Sequence, residues 1–372
     1  METFDAVIVG GGPAGSTCAK ALTQSGFNVA VLDKAVFPRD KICAGWITPH
    51  VIAELAIDVE HYRQDRVLQP ITAFVTGLGK EQAVNVQYNQ IVSYGIRRCE
   101  FDDYLLRRCG AQLKLGQPLK GIERDGKSWL LNDSIRTPLL VGAGGHFCPV
   151  AQFIGAAVGR EEAAITAQEI EFEMSDTQAR ACNVAPQTPE LYFCDDLKGY
   201  GWCVRKGNYL NVGLGRDDNR HLGDQLKSFW EWLVAQGKVP ENMHARFKGH
   251  AYLLRPNSTR PVIDNGAMLI GDAAGLAYPQ SGEGIRPAIE SGIMAAQTIV
   301  AVDGNYSHAR LERYETQLLD RFGRRRSPPS STPPSSLRTT IARSLLKQTW
   351  FARHILLDRW FLHSHQPPLS YG

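Results

Sequence analysis

Residues 10–15 read Gly-Gly-Gly-Pro-Ala-Gly, and they stand between an apolar run, Phe4 to Val9, and a stretch of helical periodicity, Ser16 to Ser25. Gly10, Gly12 and Gly15 satisfy the spacing G-x-G-x-x-G. A strand, a tight glycine turn and a helix in this order leave few folds open. The first glycine makes the turn, the second lets the backbone approach a pyrophosphate, and the third brings helix and strand together. The helix read from Ser16 follows the turn, and the free N–H groups and dipole at its start favour phosphate charge. A second apolar run, Phe27 to Leu32, ends on Asp33, 18 residues after Gly15, where a carboxylate can accept hydrogen bonds from a ribose. The unit predicts dinucleotide binding, without choosing between NAD and FAD.

Nucleotide-type elements recur further along the chain. Residues 139–150 return to a strand and glycine turn, and Met268 to Asp272 is a strand entering another, with helices expected near 283–302 and 307–322. Between them, 61–95 and 165–215 alternate apolar and polar residues as strands do, Phe101 to Cys109 reads as a short helix, and Asp217 to Gly237 as a longer one. We therefore expect residues 1–60, 91–160 and 261–326 to build one discontinuous cofactor domain, and 61–90 with 161–260 to form a substrate domain. Residues 327–336, all Ser, Pro and Thr, read as a linker, and 337–372 as a basic amphipathic tail.

Composition removes several classes. With 43% hydrophobic residues the chain can fill a core, and no apolar run of membrane-spanning length escapes a charge. Met1 to Val9 lacks the basic segment of a secretory signal, and the eight cysteines include no C-x-x-C pair. We expect a cytoplasmic protein with reduced thiols, and no nucleic-acid partner. The net charge of +3 hides an asymmetry: residues 321–372 hold nine basic side chains and one acid, so the body before them is negative. The tail is expected either to meet a membrane surface or a partner protein, peripherally to the membrane in the first case, or to fold back onto its own body.

Four blocks carry a resemblance. Val31-Leu32-Asp33-Lys34 with Phe37 to Trp46, which contains Lys41 and Cys43, resembles the K-x-C-G-G segment of geranylgeranyl reductases. These belong to a flavoprotein superfamily that also holds aromatic hydroxylases and flavin-dependent halogenases. Gly271-Asp272-Ala273-Ala274-Gly275, continuing through Gly282-Glu283-Gly284-Ile285 to Gly292, is similar to their GDAAG…P-x-x-G-E-G-I…A-x-x-S-G run. Arg98 to Asp102 is similar to the R-x-x-F-D element.

The resemblance implies an α/β FAD-binding Rossmann-like domain of the glutathione-reductase type, an inserted, mainly antiparallel substrate sheet and a C-terminal helical tail. It implies that Arg98 lies along bound FAD, that Asp272 holds the ribityl chain, and that the helix after Gly284 and Ile285 points its N-terminus at the flavin. Tyr200-Gly201-Trp202-Cys203-Val204-Arg205-Lys206-Gly207 resembles Y-x-W-x-F-P-K-G, whose aromatics wall the substrate cavity; Val204 and Arg205 depart from it. Gly144 stands where the superfamily has an Asp associated with FAD and nicotinamide contact, so the electron donor stays open among NADPH, ferredoxin and a flavin reductase.

Cys43, Tyr200, Trp202 and His146 are the candidate catalytic residues, with a buried structural thiol and a loop histidine as the rival readings of Cys43 and His146. Gly10, Gly12, Pro13, Ala14, Gly15, Asp33, Lys34, Lys41, Cys43, Arg98, Gly144, Gly271, Asp272, Gly282, Gly284 and Ile285 are the candidate FAD contacts; no metal site is expected. The leading expectation is an FAD-dependent oxidoreductase that reduces C=C bonds of a small hydrophobic, isoprenoid-like substrate by hydride transfer from flavin N5. The alternative is a flavin-dependent monooxygenase acting on an aromatic compound or a partner-protein residue. A non-catalytic lipid or protein escort comes third.

Overall fold

The fully buried strand Ala6–Val9 leads through the glycine turn into helix Pro13–Gln24, and Val29–Asp33 returns beside it, with Val7 opposite Ala30. The computed structural model describes the chain except for residues 82, 160, 161, 219, 220, 242, 244, 245, 326–335 and 370–372. The first strand sits inside a six-stranded sheet ordered 263–264, 267–269, 140–142, 6–9, 29–33, 112–115. All its pairs are parallel apart from the short antiparallel edge at 263–264. Helix Ile285–Ala301 crosses beside Pro13–Gln24, and its buried Met294, Ala295, Ala296 and Ile299 join the sheet's core. Three segments of chain thus form one parallel sheet, each entering it through a short apolar strand.

A seven-stranded sheet, ordered 248–252, 165–173, 209–216, 199–206, 190–193, 73–78, 84–87, is antiparallel except where 190–193 meets 73–78. Helix Leu222–Ala235 covers one face through Leu222, Leu226, Phe229 and Leu233. It starts later than the 217–237 pattern predicts. Arg216 and Lys198 bond the Asp218 carboxylate and tie it to the strand end, and His221 turns into the left-handed region (φ 62°) just before the first helical residue. Residues 61–90 divide between two bodies: Tyr62 packs against Phe101 and Tyr104, and strand 68–71 pairs with 93–96, whereas 73–78 and 84–87 join the large sheet.

The tail covers the other face of the large sheet. Helix Ser336–Leu346 and the helical run Ala352–Phe361 bury Leu346, Ala352, Leu356, Leu357, Phe361 and Leu362 against Trp46, Phe74 and Trp202. Its charges meet acids of the body: Lys347 Nζ lies 2.5 Å from Glu81 Oε2, Arg343 lies 3.6 Å from both Glu81 and Asp195, and Arg321 holds Glu290. The opposite charges of tail and body thus meet in part within one molecule. The 327–336 linker expectation falls outside the described residues except at Ser336, which begins a helix. Among the described residues no helix is long and apolar enough to cross a membrane, and no group of acids, histidines and cysteines could hold a metal.

Candidate active site

A cavity of about 480 Å³ lies between the two sheets. One end is made of backbone. Gly10 has φ 117°, and a Cβ there would stand 2.3 Å from the Ala143 carbonyl oxygen; at Gly15 it would stand 1.9 Å from Gly10 O. Packing therefore demands glycine at both. At Gly12 the demand is different, because a Cβ would meet only Arg39 Nη2 at 3.5 Å. The space over Gly12 is kept free by the sequence although no protein atom fills it. No side chain caps the helix that starts here, so its first N–H groups face that space.

Arg39 brings a charge to the same place. Its Nη1 lies 3.2 Å from Asp102 Oδ2 yet is buried without a hydrogen bond. A free backbone cradle, an uncapped helix start and an orphaned guanidinium donor together fit a pyrophosphate. Asp33 accepts from Gly11 N (2.7 Å) and Ala35 N (2.8 Å), which leaves a lone pair on each oxygen for a ribose hydroxyl. Lys34 is exposed at the rim. Arg98 is buried and pairs with Asp102 through Nε (2.8 Å) and Nη2 (2.9 Å).

Asp272 stands further in, with His250 Nε2 at 3.8 Å from its Oδ2. Burial alone would raise its pKa, but His250 and the charge of Lys41 outweigh it and hold the carboxyl at about 2. Lys41 Nζ donates to His250 Nε2 at 2.7 Å, and burial brings its own pKa down to about 8 against the pull of Asp272. Asp272 is not a helix cap: the following helix begins at Ile285 after Gly284, with no side-chain cap. The N-terminus of that helix is therefore open to the cavity, which Gly282, Gly284 and Ile285 line.

The other end is made of side chains. Tyr200 donates its hydroxyl to Ser281 O (2.5 Å), and Trp202 Nε1 donates to Asn211 Oδ1 (2.7 Å). Cys43 N donates to Glu169 Oε1 at 2.6 Å. Burial lifts Glu169 to about 7, against that N–H and the charge of Lys206; burial also lifts Glu283 to about 7. His146 Nδ1 faces Arg260 at 3.2 Å, and burial together with that guanidinium pushes its pKa down. His146 is thus paired with Arg260 while it also lines the cavity. Gly144 lines the cavity beside it, and a Cβ there would crowd Cys148 at 3.3 Å.

Every candidate residue stands in the cavity wall except Gly15 and Gly271, which lie behind it and fix the turns. Arg39, Glu169, His250, Tyr252 and Glu283 also line it, unpredicted. Strand alternation held one signal, since Glu169 shares its face with the buried Ala167. His250 had none, because it arrives through the pairing of Ala167 with His250 across two distant strands.

Residues 8–48 match the family model described as an NAD(P)-binding Rossmann-like domain. The geranylgeranyl diphosphate reductase of Rhodobacter capsulatus is 30% identical over 322 residues, which cover 80% of this chain and 75% of that one. The menaquinone reductase of Mycobacterium tuberculosis is 29% identical over 343 residues, 87% of this chain and 81% of that one. Among solved structures, a geranylgeranyl bacteriochlorophyll reductase-like protein from Thermoplasma acidophilum superposes with a TM-score of 0.74 at 22% identity, covering 94% of this chain and 88% of that one. This last likeness is one of fold.

Proposed function

Because this chain belongs to the geranylgeranyl reductase family of FAD-dependent oxidoreductases, we propose that it saturates carbon–carbon double bonds in a polyprenyl, isoprenoid-like substrate. The observation that carries the reading is the division of one cavity into a glycine-lined, charged end and an aromatic, largely apolar end. The names of two relatives, a geranylgeranyl diphosphate reductase and a menaquinone reductase, share the polyprenyl chain.

FAD, when bound, supplies a hydride from flavin N5. The chain's part is to hold and shield. Gly12 and Arg39 would face the pyrophosphate, Asp33 the adenosine ribose and Asp272 the ribityl hydroxyls, with Lys41 and Arg98 supplying positive charge nearby. The open N-terminus at Gly284 and Ile285 carries about half a positive charge, suited to the end of the ring where reduction leaves negative charge. Tyr200 and Trp202, with ring centroids 6.0 Å apart, would bound the substrate and exclude water.

A polyprenyl substrate resides in a bilayer, and Ile341, Leu345 and Trp350 remain exposed on the basic tail. That outward face supports peripheral contact with an anionic membrane. Co-sedimentation with anionic liposomes checks it, and equal binding by Trp350→Ala would sink it.

The reaction is tested by incubating purified protein, loaded with FAD and reduced without oxygen, with a polyprenyl alcohol or diphosphate. NADPH, reduced ferredoxin and a flavin reductase serve in turn as donors for repeated turnover. A product heavier by two hydrogens is expected. An oxygen-dependent product heavier by one oxygen atom would replace this reading with a monooxygenase.

A further inference from the structure

We propose that Glu169 is the acid that delivers the proton to the substrate double bond, through the Oε2 oxygen that the protein leaves without a partner in the cavity wall. The inference rests on the reductase reading above. Saturating a C=C bond takes a proton as well as a hydride, and a largely apolar cavity wall with a buried acid in it can supply that proton from a built-in group.

Glu169 has the geometry for it. The residue is 4% exposed, on the cavity-facing side of strand Ile165–Glu173, second from one edge of the seven-stranded sheet. The Cys43 N–H fixes Oε1 at 2.6 Å, whereas Oε2 is buried and makes no hydrogen bond. One oxygen held and the other free is an oriented acid. Gly213 on the next strand leaves room for the Glu169 stem beside the Trp202 indole, since a Cβ there would meet both.

The comparison with Glu171, two residues on along the same face, isolates the role. Glu171 is bonded by Lys206 Nζ at 2.5 Å and by Arg97 Nε at 3.3 Å, and despite burial these cations bring its pKa down. Among the described residues Glu169 makes no ion pair. Burial and the Glu171 charge push it up, the Cys43 N–H, Lys206 and Asn211 pull it down, and the outcome is about 7. Lys248, opposite it on the neighbouring strand, is engaged by Asp40, and the Lys41–His250–Asp272 cluster lies on the cofactor side of the cavity. Glu169 is thus protonated in a good fraction of molecules near neutrality, as a general acid should be.

In the step, the proton leaves Glu169 Oε2 for the less substituted alkene carbon and takes the π pair. The hydride supplied by reduced flavin brings its own electron pair to the more substituted carbon. The product is the saturated bond, with the flavin oxidised and Glu169 left as a carboxylate. Solvent water reprotonates Glu169 after product release, and an external two-electron donor restores the flavin. Positive charge developing at the more substituted carbon would face the Tyr200 and Trp202 rings and the new carboxylate.

The test uses the full chain with Glu169→Gln, which keeps the size and the Cys43 contact but has no proton to give. Infrared titration of substrate-free protein should show protonated-carboxyl absorption that vanishes with a midpoint near 7, and the variant should lose the Glu169 share of it while the Glu283 share remains. Single-turnover oxidation of reduced enzyme by a polyprenyl substrate should slow by about 10²–10⁴-fold, with flavin content and photoreduction unchanged. The wild-type rate should fall above about pH 7, and the variant's residual rate should not. Glu169→Asp, which keeps the acid, should recover part of the rate and restore the pH limb.

A Glu169→Gln rate within threefold of wild type overturns the proposal. Loss of the limb in Glu283→Gln, with the limb intact in Glu169→Gln, also overturns it. If wild-type protein holds FAD and is photoreduced but reduces no polyprenyl alkene, the reductase reading itself falls and the proposal falls with it, an outcome no variant is needed to recognise.

Discussion

The two ends of the cavity bury carboxyl groups to opposite effect. At the cofactor end Asp272 is held at about 2, and at the substrate end Glu169 and Glu283 are lifted to about 7. Burial acts in the same direction on all three, so burial does not explain the difference. Partners do: Asp272 has His250 and Lys41 close by, whereas neither Glu169 nor Glu283 has a cation bonded to it. An end with fixed charges suits a polar, anionic ligand that stays in place. An end whose carboxyls have no cation bonded to them among the described residues suits the proton delivery proposed above.

The sharpest way to break the cofactor end alone is Gly15→Val. Its Cβ would stand 1.9 Å from Gly10 O, and the turn or the helix would have to move. We expect FAD affinity to fall by at least about 100-fold, about 3 kcal/mol, measured by titrating apoprotein and following flavin fluorescence. Retention of flavin at wild-type affinity would show that the cradle has another use.

At the substrate end the matching cut is Phe361→Ala in the tail. Phe361 is 1% exposed, with its ring centroid 5.4 Å from that of Tyr200 and 6.2 Å from that of Trp46. Truncation should cost about 3–5 kcal/mol, read by urea unfolding. FAD affinity of the folded fraction should hold. Equal damage to FAD binding would mean that the two ends are one cooperative unit.

The contrast also predicts two limbs of opposite sign in stability against pH. Asp272 lies below its ordinary 3.8, so its contribution is present above pH 3.8 and is lost as pH falls through about 2. Glu169 lies above its ordinary 4.5, so its contribution is present below pH 4.5 and is lost as pH rises through about 7. The acid limb is worth about 2–3 kcal/mol and the Glu169 limb about 3–4 kcal/mol from the sizes of the two shifts. Asp272→Asn should shrink only the acid limb, and Glu169→Gln only the limb between pH 4.5 and 7, of which Glu283 keeps its share. Urea denaturation at several pH values checks both.

Much of the cofactor end was legible in the sequence because its constraints are local. A turn that admits no Cβ writes itself as glycine at a fixed spacing, as at Gly10 and Gly15, Asp33 closes its strand, and Asp272 sits in the short turn just after strand 267–269. The substrate end was legible only where a family motif covered it, at Cys43, Tyr200 and Trp202. Arg39 is held in the cavity wall by Asp102, more than 60 residues away, and His250 enters by strand register. The tail's apolar spacing was visible, but periodicity states that a face is covered and not what covers it. Trp46, Phe74 and Trp202 do so here, and no local rule ties Phe361 to residues more than a hundred positions earlier.

The smallest effect tests whether the ends communicate at all. Tyr200, on the substrate sheet, donates to Ser281 O in the loop that leads to Gly282 and Gly284, and so spans the boundary. Tyr200→Phe keeps the ring and removes one hydrogen bond, a loss of about 1 kcal/mol, or a few-fold in an equilibrium constant. If the bond holds the loop in the shape that receives the flavin, FAD affinity and substrate affinity should fall together by that few-fold factor, because coupling between two sites is reciprocal. Burial raises the Tyr200 hydroxyl well above its ordinary 10, so it remains a donor throughout the working range and the deficit should be the same at pH 6 and pH 9. That flat profile separates it from Glu169→Gln, whose effect must vary with pH. A loss of substrate affinity with FAD binding untouched would show instead that the boundary at Ser281 insulates one end from the other.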